Sequence, residues 1–328
     1  YSKLSFTTTK AKPQMAAVSN SPILAKNDLL LFICKEYTLL QKLTIKFFLQ
    51  MIKLMVYLNE QLFGGLIMSI GITLLVALLL SACGFLMYVY FFSVGYGFSI
   101  AGIGITLLIL FRQNLTIWTI LMCCLFIIYG IRLGGYLALR EMKSVTYKTL
   151  LKDESKQNVK LGVKFCIWIS CAILYVCECA PVTFRFVNGS DDDVFLYVGV
   201  IMAALGILIE LIADLQKSAA KKKNPKMFVS TGLYRIVRCP NYFGELLLWT
   251  GVFVSGISVC NSVFQWALVI LGFVGIIYVM FSGARRLEIR QDKNYGDNPA
   301  YQEYISKTPI ILPLIPIFSV KKYKWLVA

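Results

Sequence analysis

The sequence predicts an all-α, polytopic transmembrane bundle of about six or seven spans, preceded by an amphipathic helix on the membrane surface. Three observations carry this. Gln61 to Phe111 is a run of 51 residues without a charged side chain. Leu246 to Ala284 is a second run, of 39. The whole chain is 58% hydrophobic and 15% charged, where soluble domains average about 45–50% and about 25%. Roughly 20 apolar helical residues cross a hydrocarbon core about 30 Å thick, so each run is long enough to cross twice. Lipid offers no partners to backbone N–H and C=O groups, so uncharged runs of this length span as helices. The short alternating segments of a β-barrel are not present.

Taken in order, residues 1–27 read as an irregular basic arm: Lys3, Lys10, Lys12 and Lys26 with many Ser and Thr and no acid. That is the composition of an organelle-targeting segment, and equally of an ordinary disordered tail. Asp28 is a plausible N-cap for a helix from Leu29 to about Leu58. Lys35, Lys42, Lys46 and Lys53 fall within a sector of roughly 40° of it. Lysines at a bilayer centre are costly, so residues 28–60 are expected to lie on the membrane surface. Residues 61–328 form the membrane domain. Its spans are expected at Gly65–Phe91, Tyr96–Phe111, Leu115–Ile131, Leu161–Ala180 and Val194–Ile212, followed by a hairpin of Tyr242–Ile257 and Ser262–Phe281.

The net charge of +16 sits between the spans. Arg132 to Lys164 holds eight basic residues. Gln216 to Gly244 is basic without an acid, and the tail after Gly283 carries Arg285, Arg286 and Arg290. The span count puts these three stretches on one face and Asp191-Asp192-Asp193 on the other, which is the positive-inside pattern rather than a nucleic-acid footprint. The Lys-rich N-terminus falls on the acidic face, against the pattern. There is no histidine, which removes Ser-His-Asp and Cys-His catalysis and His-ligated metals. The ten cysteines contain no C-x-x-C pair; Cys123, Cys124, Cys166, Cys171 and Cys177 in apolar spans read as small polarizable packing residues.

Chemistry concentrates in residues 230–245, STGLYRIVRCPNYFGE. Gly232 and Pro240 punctuate the chain, so this is a loop entering a helix that starts at Pro240. Arg235 and Arg238 stand three apart beside Asn241, Tyr242 and the positive end of the helix dipole. Two guanidiniums, an amide and free backbone N–H groups make an anion site at a membrane surface. A lipid-headgroup anchor would also use a basic juxtamembrane loop, but needs no fixed order of Arg, Pro, Asn, Tyr, Gly and Glu.

That block resembles the C-terminal signature of the steroid 5α-reductase family. A closing segment within residues 282–316 follows the same pattern: Ser282-Gly283, Leu287-Glu288, Arg290, Tyr295-Gly296-Asp297, Tyr301, Tyr304, Thr308-Pro309 and Leu312-Pro313. A weaker match covers residues 129–137. Isoprenylcysteine methyltransferases and sterol reductases are similar to this family. The resemblance implies a membrane reductase that uses NADPH to reduce an activated double bond of a lipid. It implies that Arg235, Arg238, Asn241, Tyr242 and Glu245 line the cofactor pocket and that Glu288, Arg290, Tyr301 and Tyr304 close it. Cys239 stands where the family has histidine, and a thiol cannot bond from two sides as imidazole does. No carboxylate lies between Gln61 and Arg140 to serve as proton donor. Tyr88, Tyr90, Tyr96, Tyr129 and Tyr136 are the candidates, with no catalytic residue assigned. Glu178 and the pair Glu210 and Asp214 are the acids near later spans, and the last two are expected to pair with lysines.

Three functions therefore stand: an NAD(P)H-dependent reductase of a lipid or steroid-like double bond; a catalytically inactive subunit of a large membrane complex built on that fold; and an S-adenosylmethionine-dependent methyltransferase. Membrane lipids are expected partners in each, and an apolar lipid is the substrate if the chain is active. The membrane is that of the endoplasmic reticulum or the inner mitochondrial membrane. Two glycosylation sequons, Asn114-Leu115-Thr116 and Asn188-Gly189-Ser190, lie on the predicted acidic face.

Overall fold

A computed structural model describes residue 50, residues 65–143 and residues 159–326, the side chains of 139–143 excepted. The predicted arm of 1–27 and nearly all of the predicted surface helix of 28–60 lie outside the described residues. The described part is helical throughout, without strands. The helices are α1 (Gly65–Ser81), α2 (Val94–Leu110), α3 (Ile117–Lys143), α4 (Leu161–Val187), α5 (Val194–Lys223), α6 (Pro240–Gly256), α7 (Val263–Tyr295) and α8 (Pro299–Lys307). Six segments are long and apolar enough to cross a membrane: 65–85, 88–110, 117–138, 161–187, 194–223 and 263–295. The chain is thus an integral membrane protein. The sixth predicted span, Tyr242–Ile257, falls on α6, which has 17 residues, about 25 Å of helix at about 1.5 Å per residue, and is not among these six.

Several predicted boundaries are corrected. The single span of Gly65–Phe91 is broken: α1 stops at Ser81, and two 3-10 turns follow at Ala82–Phe85 and Tyr88–Phe92, with Met87 extended between them. The break lets Phe91 fold back onto Gly84 and bury fully. Helices α3, α4, α5 and α7 all run past their predicted ends; in α4 the added turns, Pro181 to Phe186, are buried in the bundle. Pro181 sits inside α4 without stopping it. Local chemistry sets the other ends: Asp193 and Ser262 accept from the Leu196 and Gln265 amides at the starts of α5 and α7, and Pro240 opens α6, as capping and N1 proline preferences require.

The helices pair through small residues. In the antiparallel pair α5–α6, Gly206 faces Gly244 and Gly199 faces Gly251; a Cβ on Gly206 or Gly199 would come within 2.5 Å of the opposite carbonyl oxygen. The seven-residue spacing on both helices keeps these contacts on one seam. Pair α2–α3 repeats the device at Gly97 and Gly134, where a Cβ on Gly97 would stand 2.6 Å from the Gly134 nitrogen.

Polar contacts gather at two opposite ends of the bundle. At the acidic end Arg185, 1% exposed, donates to both Asp193 carboxylate oxygens at 3.1 Å, to the Ser255 carbonyl at 2.8 Å and to the Asp191 carbonyl at 2.7 Å. Thr116 donates to Asp192 at 2.6 Å. At the basic end Arg132 of α3 meets Asp214 of α5 at 3.1 Å. Among the described residues the cysteines are all free thiols; Cys123, Cys171 and Cys177 are buried as a packing role requires, and so are Cys179 and Cys239, but Cys124 is half-buried and Cys166 exposed, so Cys166 does not fill the packing role expected of it.

Candidate functional site

The signature loop leaves α5 at the basic end, turns through Gly232 at φ +63° and enters α6. Its backbone is tied to the chain's last segment. The Arg238 amide donates to the Pro309 carbonyl and the Cys239 amide to the Ile310 carbonyl, both at 2.9 Å. Residues 309–320 thus form a strap across the start of α6. The Arg238 guanidinium, 3% exposed, donates to Glu288 at 2.9 Å and to the Phe318 carbonyl at 2.5 Å. The second Glu288 oxygen accepts from the Val320 amide at 3.0 Å. Two of the residues assigned to the cofactor by resemblance, Arg238 and Glu288, therefore clamp the strap. Tyr304 donates to the Tyr234 carbonyl at 2.6 Å and Tyr301 to Asp292 at 3.0 Å, which fastens α8 to the same unit. Burial, with Asp214, Cys239 and other neighbours adding to it, pushes the Tyr234 phenol up; burial, foremost, does the same at Tyr301 and Tyr304. Burial pushes the Cys239 thiol up to about 12 against the pull of Arg238 and Lys217, so it stands as a neutral thiol at the N-cap, where it caps nothing.

The remaining candidates face outward from this clamp. Arg235, Arg286 and Arg290 are exposed and Asn241 and Tyr242 half-buried. The Tyr242 ring lies against Gly283, and Arg286 and Arg290 lie in its electrostatic range. Asn241 and Glu245, four apart, share one face of α6, so the face that opens at the basic surface leads inward to Glu245.

Glu245 is 7% exposed and its Oε1 accepts from Tyr129 at 2.7 Å and Tyr96 at 3.1 Å. The two phenol rings stand edge to face, centroids 6.0 Å apart. Glu210 packs beside Glu245, because Gly244 admits α5 so closely that a Cβ there would lie 2.9 Å from the Glu210 nitrogen. Glu210, 4% exposed, pairs with Arg132. The lysine partners expected for Glu210 and Asp214 are thus replaced by one arginine, whose planar fork reaches both carboxylates. Glu178, 4% exposed, faces the cluster across Tyr96, within electrostatic reach of Glu245, and apart from the Tyr96 hydroxyl its oxygens have no hydrogen-bond partner among the described residues.

Two of the five tyrosine candidates, Tyr96 and Tyr129, thus meet a carboxylate that comes from the C-terminal half, Glu245. The signal was there as residue type only: an acid on α6 and tyrosines on α2 and α3 meet through a packing that no spacing rule reports. A family described as protein of unknown function (DUF1295) matches residues 92–308. No curated protein and no solved structure matches the chain.

Proposed function

The chain belongs to the DUF1295 family of unknown function, and we propose that it is an NAD(P)H-dependent membrane reductase of a lipid or steroid-like double bond. The observation that carries this reading is Glu245 holding the Tyr129 and Tyr96 hydroxyls, one turn inward from the exposed basic mouth. Such a reduction needs an anion site for a phosphorylated dinucleotide and a proton donor in a water-poor interior. Arg235, Arg286 and Arg290 are exposed cations beside the start of α6 and suit the phosphates, while Asn241 and Tyr242 suit a ribose or amide. NADPH, when bound, supplies a hydride to one carbon of the double bond. Tyr129 releases its hydroxyl proton from Glu245 to the other carbon, and the resulting phenolate is reprotonated from the Glu245 side, where Arg132 and the part-exposed Asp214 lead to water. In this reading Arg238 and Glu288 hold the loop in shape.

The committed state of Arg238 favours a second reading. A guanidinium already bonded to Glu288 and Phe318, next to a cysteine that caps nothing, also suits an inactive subunit of a membrane complex. NADPH fluorescence with the purified protein separates the two. The reductase reading expects saturable binding that Asn241→Ala and Arg290→Ala weaken by about tenfold or more and that S-adenosylmethionine does not displace, with Tyr129→Phe binding normally. Displacement would mark a methyltransferase pocket, and no binding of either nucleotide would leave the inactive subunit. The proposed membrane is that of the endoplasmic reticulum or the inner mitochondrial membrane.

A further inference from the structure

We propose that Glu178 of α4 and Trp249 of α6 form an intramembrane site for the hydroxyl group of a hydrophobic alcohol. Both side chains are buried, at 4% and 2% exposure. The Trp249 indole Nε1 has no hydrogen-bond partner among the described residues, and Glu178 has none beyond the neighbouring Tyr96 hydroxyl. They border one small cavity, together with Pro181, Gly272, Phe253 and Phe273. A buried carboxyl with at most one donor and an unpartnered buried indole N–H each cost stability, and packing among apolar side chains offsets neither.

The two groups are complementary in type: Trp249 is a donor only, while a carboxyl offers an acceptor oxygen in either protonation state. A hydroxyl satisfies both at once, giving its proton to Glu178 and accepting from the indole. An ammonium would leave the indole unsatisfied, and a group with no proton to give would leave the Glu178 acceptor oxygen unsatisfied. The cavity has room for about one water-sized group, so it admits the polar head alone. Its edge is formed by Phe253 and Phe273, stacked with centroids 4.4 Å apart and both half-buried. Phe253 belongs to α6 and Phe273 to α7, so the hydrocarbon body of the alcohol would lie against the seam between these two helices. The opposite wall is held by Gly272: a Cβ there would come within 2.6 Å of the Glu178 nitrogen. This site does not depend on the proposed reduction.

The test uses the full chain in detergent and a long-chain alcohol brominated a few carbons from its hydroxyl, which quenches nearby tryptophan fluorescence. The expected result is saturable quenching that disappears in Trp249→Phe, that weakens about tenfold in affinity in Glu178→Leu, and that the methyl ether of the same compound fails to reproduce. In ligand-free detergent Glu178→Leu should also melt higher than the parent, since it removes an unsatisfied group. Equal quenching by alcohol and ether would mean that the cavity holds water only and would overturn the proposal. So would a lower melting temperature of Glu178→Leu with unchanged affinity, which would make Glu178 a structural group.

Discussion

Consider replacing Glu288 by leucine. Arg238 and Glu288 are each 3% exposed, 2.9 Å apart, and share the strap: Arg238 holds the Phe318 carbonyl and Glu288 the Val320 amide. Glu288→Leu strands a buried guanidinium and a backbone N–H, at a cost of about 3–5 kcal/mol. At about 2–4 °C per kcal/mol for a domain of this size, the melting temperature should fall by about 10 °C. Arg238→Met strands a carboxylate instead, with a loss of the same order. The double variant Arg238→Met/Glu288→Leu leaves only the strap's neutral groups unpaired, at about 1–3 kcal/mol each. It should therefore melt no lower than either single variant, a coupling of about 3 kcal/mol. The assay is thermal unfolding of the three variants in one detergent. Shifts that simply add in the double variant, or a Glu288→Leu shift under about 2 °C, would refute the clamp and return both residues to the cofactor alone.

Three further outcomes follow from the geometry. Gly206→Ala places a Cβ 2.5 Å from the Gly244 carbonyl and the Leu248 nitrogen, and should cost about 2 kcal/mol or more, whereas Gly71→Ala, with nothing within 4 Å, should be neutral or stabilising by up to about 1 kcal/mol; paired melting curves read the contrast. At Asp193, burial works to raise the carboxyl, but hydrogen bonds from Ser258, the Leu196 amide and Arg185 outweigh it and hold it below its ordinary value. Its stabilising contribution is therefore complete at neutral pH and lost as pH falls below about 4, so Asp193→Asn should flatten that acid limb of the stability profile. Asn114 is exposed, while the Asn188 side-chain amide donates to the Val259 carbonyl at 2.7 Å and to Gln265 at 3.1 Å; expression in a secretory membrane should give one glycan, removed by Asn114→Gln, read as a gel shift on deglycosylation.

The spans and their sidedness were legible because both depend on quantities that the linear sequence carries: lengths of uncharged run and the placement of lysines and arginines. Helix ends were less so, since α3 and α7 continue past their apolar stretches on intrinsic propensity and on contacts such as Arg132 with Glu210 and Arg238 with Glu288. The split at Ser81–Tyr88 depends on Phe91 reaching Gly84, a local reversal that apolar composition hides. Within the site, the signature residues were legible as a block, but their division of labour was not. Arg235 and Arg238 look alike in the chain; the strap's carbonyl at Phe318 takes one inside and leaves the other at the surface. Arg185, which gathers Asp191, Asp193 and Ser255, lies beyond the predicted span end at Ala180, and residue type alone does not report its three partners. Glu245 likewise depends on tyrosines from two other helices.

The strap has a consequence for biosynthesis. Arg238 and Cys239 cannot complete their amide pairing until Pro309 and Ile310 have been made, with all of α7 and α8 between them. Helices α1 to α6 can enter the membrane one after another as they leave the ribosome, but the start of α6 is fastened only by the last stretch to be translated. A chain cut short by a premature stop at residue 309 would thus insert with its spans intact and the Arg238 and Cys239 amides without their strap partners, a species that membrane quality control would meet as correctly threaded yet unfinished.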